Sequence, residues 1–478
     1  MAKITVMDPV TRIEGHMKVE VEIENNQVLD ARCTGTLFRG FETLLQGRDP
    51  WDAPVITERI CGVCPVSHGM AAVKALDAAA GIAPPTDGRV LRNLVLGANF
   101  IQSHILHFYL LAALDYAKGP ASAPWTPAWE WERTPEQAAL DGVVAEHLPL
   151  AIEARRRAHE MGAIFGGRMP SPQAYIPGGF TAVPSRDLID AFQDHLEKLL
   201  DFTEKTYIPD VTALASLYDE YYSIGKGCEN LLAYGVFDLE DGSQLLEGGI
   251  SEVGEFSADN ITESVEYSWY NDTAPLNPSN GKTEPVDPHD KDTAYSWLKA
   301  PRYKNLPYEV GPLARMWVNG DYQKGVSVMD RHAARASETL KIGNAMGQWL
   351  DDLTPGANVY DGYSLPKNAT GIGLTEAPRG ALGHWVGIRE NKIDHYQIIT
   401  PTCWNASPMD STIDSNGRGI NGPMEQALIG TPIQDAAQPI EALRVIHSFD
   451  PCLSCAVHVM RPDGEPVVIH TGPSNGAV

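Results

Sequence analysis

The chain has 478 residues, 43% hydrophobic and 21% charged, with 37 Lys and Arg against 62 Asp and Glu and a net charge of −25. That length supplies a large buried core, and the composition is that of an ordinary soluble globular protein. So acidic a surface repels phosphate backbones and anionic lipid, which argues against nucleic-acid and membrane-surface roles. The seven cysteines are odd in number and sparse, so a disulfide framework is a poor reading. The opening MAKITVMDPV has neither the basic run nor the apolar run of a signal peptide.

Residues 3–34 read as a hairpin and its approach. Met17, Val19, Val21 and Ile23 alternate with Lys18, Glu20, Glu22 and Glu24, Asn25-Asn26 makes the turn, and Val28 to Cys33 returns. The charged cluster Thr11-Arg12-Ile13-Glu14-Gly15-His16 ahead of it reads, on its own, as a solvated loop. Glu42, in Phe38-Arg39-Gly40-Phe41-Glu42, reads alone as a surface carboxylate. A helix is expected from Val66 to Ala80, closed by Gly81. Arg89 to Ala117 predicts one long helix, apolar on most faces. Arg92, Asn93, Asn99, Gln102, His104 and His107 interrupt it, which argues for the centre of a large core and against a membrane span.

A Pro- and Trp-rich loop covers 118–135. Helical patterns resume at Glu136–Gly162 and at Arg186–Thr206, the second with Ser185 as its N-cap. From about Gly225 to Asn319 short β-like runs amid Gly, Asn, Asp and Pro predict an irregular meander on the surface. Helix returns at Ser327–Leu353, and a strand-like stretch covers Tyr396 to Ile399. Arg379, just ahead of it, is by itself a surface guanidinium. No internal repeat or low-complexity run is present. The fold class is mainly α (α+β): a large helical core with an N-terminal hairpin and a peripheral β meander.

Two stretches carry the chemistry. Arg59-Ile60-Cys61-Gly62-Val63-Cys64-Pro65-Val66-Ser67-His68 and Asp450-Pro451-Cys452-Leu453-Ser454-Cys455-Ala456-Val457-His458 each hold a Cys-x-x-Cys pair and a trailing His. Two thiolates at this spacing can point at one ion, so two pairs can offer four soft ligands to a thiophilic metal. Cys33, Cys228 and Cys403 stand alone and read as small apolar side chains. A structural four-cysteine zinc site in a non-enzymatic scaffold is the alternative. Structural zinc, however, usually draws its pairs from one compact module, and these pairs lie at opposite ends of the chain. A Cys-x-x-Cys redox role is weaker, because neither pair has a thioredoxin-like βαβ context.

These stretches resemble the two signatures of the catalytic large subunit of nickel-iron hydrogenases, Arg-x-Cys-Gly-x-Cys-x-x-x-His and Asp-Pro-Cys-x-x-Cys-x-x-His. Further matches at Arg12–His16, Phe38–Glu42, Gly311–Arg315, Ala377–Trp385 and Pro401–Asn405 spread the likeness over nearly the whole chain. The related quinone-reactive subunit of respiratory complex I shares the fold but lacks the four cysteines kept here. The resemblance implies reversible interconversion of hydrogen with two protons and two electrons at a nickel-iron centre. Cys61 and Cys452 match the terminal nickel thiolates, and Cys64 and Cys455 those that bridge nickel and iron. Cys452 would be the first base in heterolytic cleavage and Glu14 the next proton carrier. The iron would carry carbon monoxide and cyanide, with Arg379 over these ligands and Thr402 hydrogen-bonding a cyanide. Glu42, the backbone carbonyl of Ile398 and His458 match a magnesium (or other divalent ion) site. His68 would orient a bridging thiolate, and Asp450 supports the same centre from behind the ligands. Ser103 departs from the Asp that many members carry beside the residue matching His104, so the polar network there must differ.

The resemblance also implies one catalytic domain over 1–458. Residues 459–478 look like the tail that a maturation protease removes after nickel-insertion factors have acted, leaving His458 as the last residue. The three remaining cysteines are too scattered for iron–sulfur clusters, so electrons need a partner, which the family supplies as an iron–sulfur small subunit. That subunit often carries the export signal for both chains. The opening Asp8 to His16 resembles periplasmic or periplasm-facing membrane-associated members most, with a cytoplasmic location as the alternative. The scaffold reading leaves Glu14, Glu42 and Arg379 unexplained.

Overall fold

A computed structural model of the chain describes residues 3–122, 125–126, 128–252, 256–413 and 419–453. The helices Thr86–Leu106, Pro135–Gly166, Arg186–Phe202 and Val328–Asp352 pack together at its centre. One hydrophobic cluster runs from Met7 through them to Leu453.

Local sequence explains most of the boundaries. The Pro65–Ala80 helix starts at Cys64 with Pro65 in its first turn and ends at Gly81, whose φ of 67° closes it in the left-handed region. A Thr134/Gln137 capping box opens Pro135–Gly166, and Ser185 caps Arg186–Phe202 by accepting from the Leu188 N–H. The Arg186 helix continues through a π turn, Thr203–Tyr207, into Ile208–Leu217. Ser327 caps Val328–Asp352.

The long helix expected over Arg89–Ala117 starts earlier and breaks sooner. Regular α-helix covers Thr86–Leu106, followed by a wider π turn at His107–Ala112 and a tight turn at Ala113–Asp115. The whole run is long and apolar enough to cross a membrane, yet 83% of its most apolar window lies buried inside the protein. Its polar residues find partners there. Arg92 pairs with Asp77 at 2.6 Å, and Asn99 and Gln102 each donate to the Val63 carbonyl at 2.9 Å. It is a core helix.

The N-terminal hairpin forms as expected, and Lys3–Met7 adds a third antiparallel strand on its outside. A second three-stranded antiparallel sheet, Ala369–Ala377, Gly380–Arg389 and Lys392–Ile399, was foreshadowed only in its last strand. It lies directly on the Pro65–Ala80 helix. A Cβ on Gly371 would stand 2.0 Å from the Ala75 carbonyl, and one on Gly373 2.0 Å from that of Ala71. Only glycine lets the two backbones meet so closely, and this contact fixes the helix that begins at Cys64. Short two-stranded ladders occupy the 225–319 region. The region also sends Leu232, Val236, Phe237, Glu263, Leu298 and Lys299 into the interior, so it is not the surface meander that its texture suggested.

Cys33 and Cys403 are buried and Cys228 is half-buried. Beside Cys33, the buried Glu425 accepts from the Cys33 N–H and the Tyr295 hydroxyl, each at 2.9 Å. Burial pushes its carboxyl up from 4.5 to about 8. A raised carboxyl stabilises the fold fully below its unfolded value and loses that contribution as pH climbs through the folded value. Relative to Glu425→Gln, the wild type should therefore lose stability as pH rises from about 4.5 to about 8. Urea midpoints across that range test it, and parallel curves would refute it.

Candidate metal centre

Cys61 follows the turn that ends the Ala53–Thr57 helix, and Cys64 stands at the head of the Pro65–Ala80 helix. The short loop between them curls its amides inward. Val63 N–H and Cys64 N–H point at Cys61 Sγ at 3.3 and 3.4 Å, an arrangement that favours a thiolate. Asn99 and Gln102, the polar interruptions of the core helix, hold the loop from behind through the Val63 carbonyl.

The other end of the chain arrives at the same place. Asp450 turns the backbone with a φ of 56° and leads into Cys452, whose N–H donates to Thr402 Oγ1 at 2.9 Å. The sulfur atoms of Cys61, Cys64 and Cys452 all lie within 4.8 Å of one another, and all three residues are buried. Cys61 Sγ and Cys452 Sγ are 3.3 Å apart, well beyond a disulfide bond. Cys455 and His458 lie outside the described residues.

Glu14 joins this group through its backbone. The Leu453 N–H donates to the Glu14 carbonyl at 2.6 Å, the Glu14 N–H to the Pro451 carbonyl at 3.4 Å, and Glu14 and Cys452 form a parallel bridge. Its carboxylate reaches the Cys61–Cys64 loop, with Oε1 3.9 Å from where a Cβ on Gly62 would stand. The solvated-loop reading of this cluster therefore fails for Glu14, which is half-buried.

Arg379 also departs from what its residue type suggests. It stands in the turn between Ala369–Ala377 and Gly380–Arg389 and is 2% exposed. Its Nη2 faces Asp450 Oδ1 at 2.9 Å, a charge pair without hydrogen-bond alignment, and its Nη1 lies 3.4 Å from Ser103 Oγ. Burial opposes the charge, but Asp450 first, then Cys452, Cys64 and Cys61, hold the guanidinium well above its ordinary value. A fixed cation thus faces the three sulfurs. Ser103 supplies a neutral contact to the guanidinium, so Asp450 carries its pairing charge.

Two further groups stand beside the sulfurs. His68 Nδ1 meets His384 Nε2 at 3.2 Å, and His384 Nδ1 meets the Tyr396 hydroxyl at 2.9 Å. Burial lowers His68 to about 4 and His384 well below its ordinary value, so both rings are neutral at physiological pH. Glu42, in the single-turn helix Phe41–Leu45, accepts from the Ile398 N–H at 2.9 Å and from the Thr283 hydroxyl. Lys299 Nζ sits 3.6 Å from both Glu42 and Glu263, and donates to Gln397 at 2.8 Å. Burial raises Glu263 to about 7, opposed by Lys299 and reinforced by Glu42. Glu42 and Ile398, far apart in the sequence, are thus neighbours, joined through the N–H of Ile398. Sequence reasoning missed Lys299, Glu263, Thr283 and His384. The first three sit in or beside stretches read as an exposed meander, where nothing in their spacing marks them.

The chemistry of the donors fits soft, redox-active metals. Three buried sulfurs, amides aimed at one of them, an opposing guanidinium and a carboxylate within reach exceed what a closed structural zinc site uses. Comparison with known proteins decides between these readings. The model of the family described as nickel-dependent hydrogenase matches residues 39–123 and 118–458, and a model described as HoxL-like matches residues 3–34. The chain belongs to the nickel-dependent hydrogenases. It is 42% identical to the periplasmic NiFeSe hydrogenase large subunit of Desulfomicrobium baculatum, over 98% of this chain and 97% of that one. It is 34% identical to the uptake hydrogenase large subunit of Bradyrhizobium diazoefficiens, over 97% and 96%. The crystal structure of a reduced, active form of the Desulfomicrobium baculatum NiFeSe hydrogenase superposes with a TM-score of 0.91 at 41% identity, covering 95% of this chain and 100% of that one.

The protein is a nickel-iron hydrogenase large subunit, and hydrogen is its substrate. As the catalytic chain it cleaves hydrogen reversibly to protons and electrons and works with a small-subunit partner. Nickel and iron are its metals. The relative's name includes selenium, whereas this hydrogenase has cysteine at all four positions of its two motifs.

Proposed function

We propose that Cys61, Cys64, Cys452 and Cys455 would hold the nickel, with Cys64 and Cys455 also holding the iron. The observation that carries this is the convergence of three buried sulfurs within 4.8 Å beside a backbone ladder that ties Glu14 to Cys452. The metals, when bound, polarise hydrogen for heterolytic cleavage. Cys452 Sγ takes the proton and Glu14 carries it away, its carboxylate lying against the Cys61–Cys64 loop. Arg379, its charge paired with Asp450, would orient the carbon monoxide and cyanide of the iron. Thr402, already bonded to the Cys452 amide, would hydrogen-bond a cyanide, and His68 would orient a thiolate of the centre.

Glu42, Ile398 and His458 hold magnesium or another divalent ion, a hard ion suited to carboxylate and carbonyl oxygen. Electrons leave through iron–sulfur clusters of the small subunit. Nickel-insertion factors and a maturation protease complete the enzyme, which ends at His458 as one catalytic domain. The two proteins are exported together and work at the periplasmic face, the location that the name of the Desulfomicrobium relative gives for that protein.

Metal analysis with infrared spectroscopy on the purified heterodimer tests the reading. Nickel and iron together, with bands of metal-bound carbon monoxide and cyanide, are expected. Zinc alone would sink it. Iron with its diatomic ligands but no nickel, on a chain still carrying 459–478, would mark the unprocessed enzyme.

A further inference from the structure

We infer that Asp115 and His447 are positioning residues for hydrogen turnover: with Arg12 they clamp the Thr11–His16 loop so that Glu14 stays beside Cys452. The inference rests on the reading of Glu14 as the proton carrier.

Three elements meet at the clamp. The π turn His107–Ala112 and the tight turn after it bring Leu111 and Asp115 under the loop. The Ile440–Ser448 helix brings His447 from the other side. Arg12 donates through Nη1 to the Leu111 carbonyl and through Nη2 to Asp115 Oδ1. The other oxygen of Asp115 meets His447 Nδ1 at 2.6 Å, and His447 Nε2 meets the Thr11 carbonyl at 2.8 Å. Arg12 holds a φ of 57°, a conformation uncommon for a residue with a side chain, which lasts only where its surroundings over-determine it.

Asp115 is ionised: burial opposes this, but Arg12 and then His447 hold its carboxyl down at about 2. Its two oxygens meet Arg12 and His447, and the His447 ring spans from that carboxylate to the Thr11 carbonyl. Behind them, His107 Nε2 meets the His447 carbonyl at 2.6 Å, and Arg444 donates twice to the Asp115 carbonyl, at 3.0 and 2.9 Å. One buried anion thus sits between Arg12 and His447. His447 grips the loop at the Thr11 carbonyl, and Arg12 is the loop's own side chain. Two residues on, Glu14 is laddered to Cys452. The wider turn in the core helix has a use on this reading, since it sets Leu111 and Asp115 against the loop.

The test uses the heterodimer with its small subunit and four variants: Asp115→Asn, His447→Gln, Arg12→Gln and Glu14→Gln. Three readouts are taken: dye-linked hydrogen uptake with its solvent deuterium isotope effect, the infrared bands of the diatomic ligands, and amide exchange over residues 9–17. Asp115→Asn and His447→Gln should each lose tenfold or more in turnover with a raised isotope effect, as Glu14→Gln does. Their infrared bands should match the wild type and their 9–17 amides should exchange at least tenfold faster. Should either variant fail to assemble, Arg12→Gln, altering a guanidinium that is 20% exposed, asks the same question. Turnover lost in Glu14→Gln but kept in the clamp variants would overturn the clamp. Full turnover in Glu14→Gln would overturn the relay on which it rests. Unchanged exchange over 9–17 in the clamp variants would overturn it independently of any turnover.

Discussion

Cys452→Ser should abolish hydrogen uptake, leaving less than a hundredth of wild-type turnover, and strip the enzyme of nickel while the chain still assembles. A serine hydroxyl is a hard, scarcely acidic ligand where nickel favours a soft, anionic one, so the exchange removes a metal bond without adding one of similar strength. It also removes the base proposed to take the first proton, and Glu14 would then have nothing to receive from. The fold should survive. The change is nearly isosteric, and the backbone of Cys452 is held independently by Thr402 and by the ladder to Glu14. Cys228→Ser makes the control: the residue is half-buried, and its sulfur makes a weak contact to the Asn230 carbonyl at 3.7 Å, which a hydroxyl can replace. Nickel per chain and dye-linked uptake, measured on both heterodimers, decide the matter. Cys452→Ser with full nickel and more than a tenth of the turnover would remove Cys452 from the site.

The cysteine cluster was legible because its signal is local: two short spacings, each with a trailing His, mark where the chain carries soft donors, and the fold brings Cys61, Cys64 and Cys452 together. Helix starts were legible for the same reason: Ser185 caps its helix as expected, and the starts expected at Val66 and Ser327 fall within one residue of those found, Pro65 and Val328. Residues that act through distant partners were not legible from their type alone. Arg379 and Glu14 belong to residue types usually found at the surface; the family resemblance marks both, and the fold shows that the first is enclosed and the second laddered to Cys452. The sheet over 369–399 hid because Gly371 and Gly373, chosen for close approach to a helix backbone, weaken the β pattern that would have disclosed it. The break in the core helix at Leu106 hid behind a continuous apolar run, since hydrophobic periodicity does not register a change from α to π winding.

The second large effect is expected far from the sulfurs. Arg315→Met should destabilise the heterodimer by about 3–5 kcal/mol, the usual cost of breaking a buried ion pair by removing one partner. Arg315 is wholly buried and holds Glu338 with two bonds, at 2.6 and 2.7 Å, and Glu376 with one at 2.7 Å. Its remaining N–H groups donate to the carbonyls of Ala377 and Pro378, immediately before Arg379. His104 completes the group against Glu338 at 2.8 Å. Burial alone would raise both carboxyls. Arg315 overcomes that at Glu338, which is held down at about 2, but only partly at Glu376, which burial keeps at about 7. Without the guanidinium burial drives both carboxyls up, so at neutral pH each is either charged and unmatched or protonated against its tendency to ionise in the unfolded chain. Acidification should then relieve the variant at both carboxyls, whereas in the wild type only Glu376 responds between pH 7 and 5, and the Glu338 contribution is lost only as pH falls from 4.5 towards 2. The gap between the two should therefore narrow as pH drops from 7 to 5. The triple variant Arg315→Met, Glu338→Gln, Glu376→Gln should recover most of the loss, since paired charges replaced together cost little. Urea midpoints at both pH values measure this, and a single variant within about 1 kcal/mol of wild type at pH 7 would show that the network contributes no more than an exposed pair does. The carbonyls of Ala377 and Pro378 tie this network to the metal centre: with Arg315 gone, the turn that presents Arg379 loses two of its hydrogen bonds, so turnover should fall along with stability, and the triple variant, which restores the charge balance but not those bonds, should recover the second without the first.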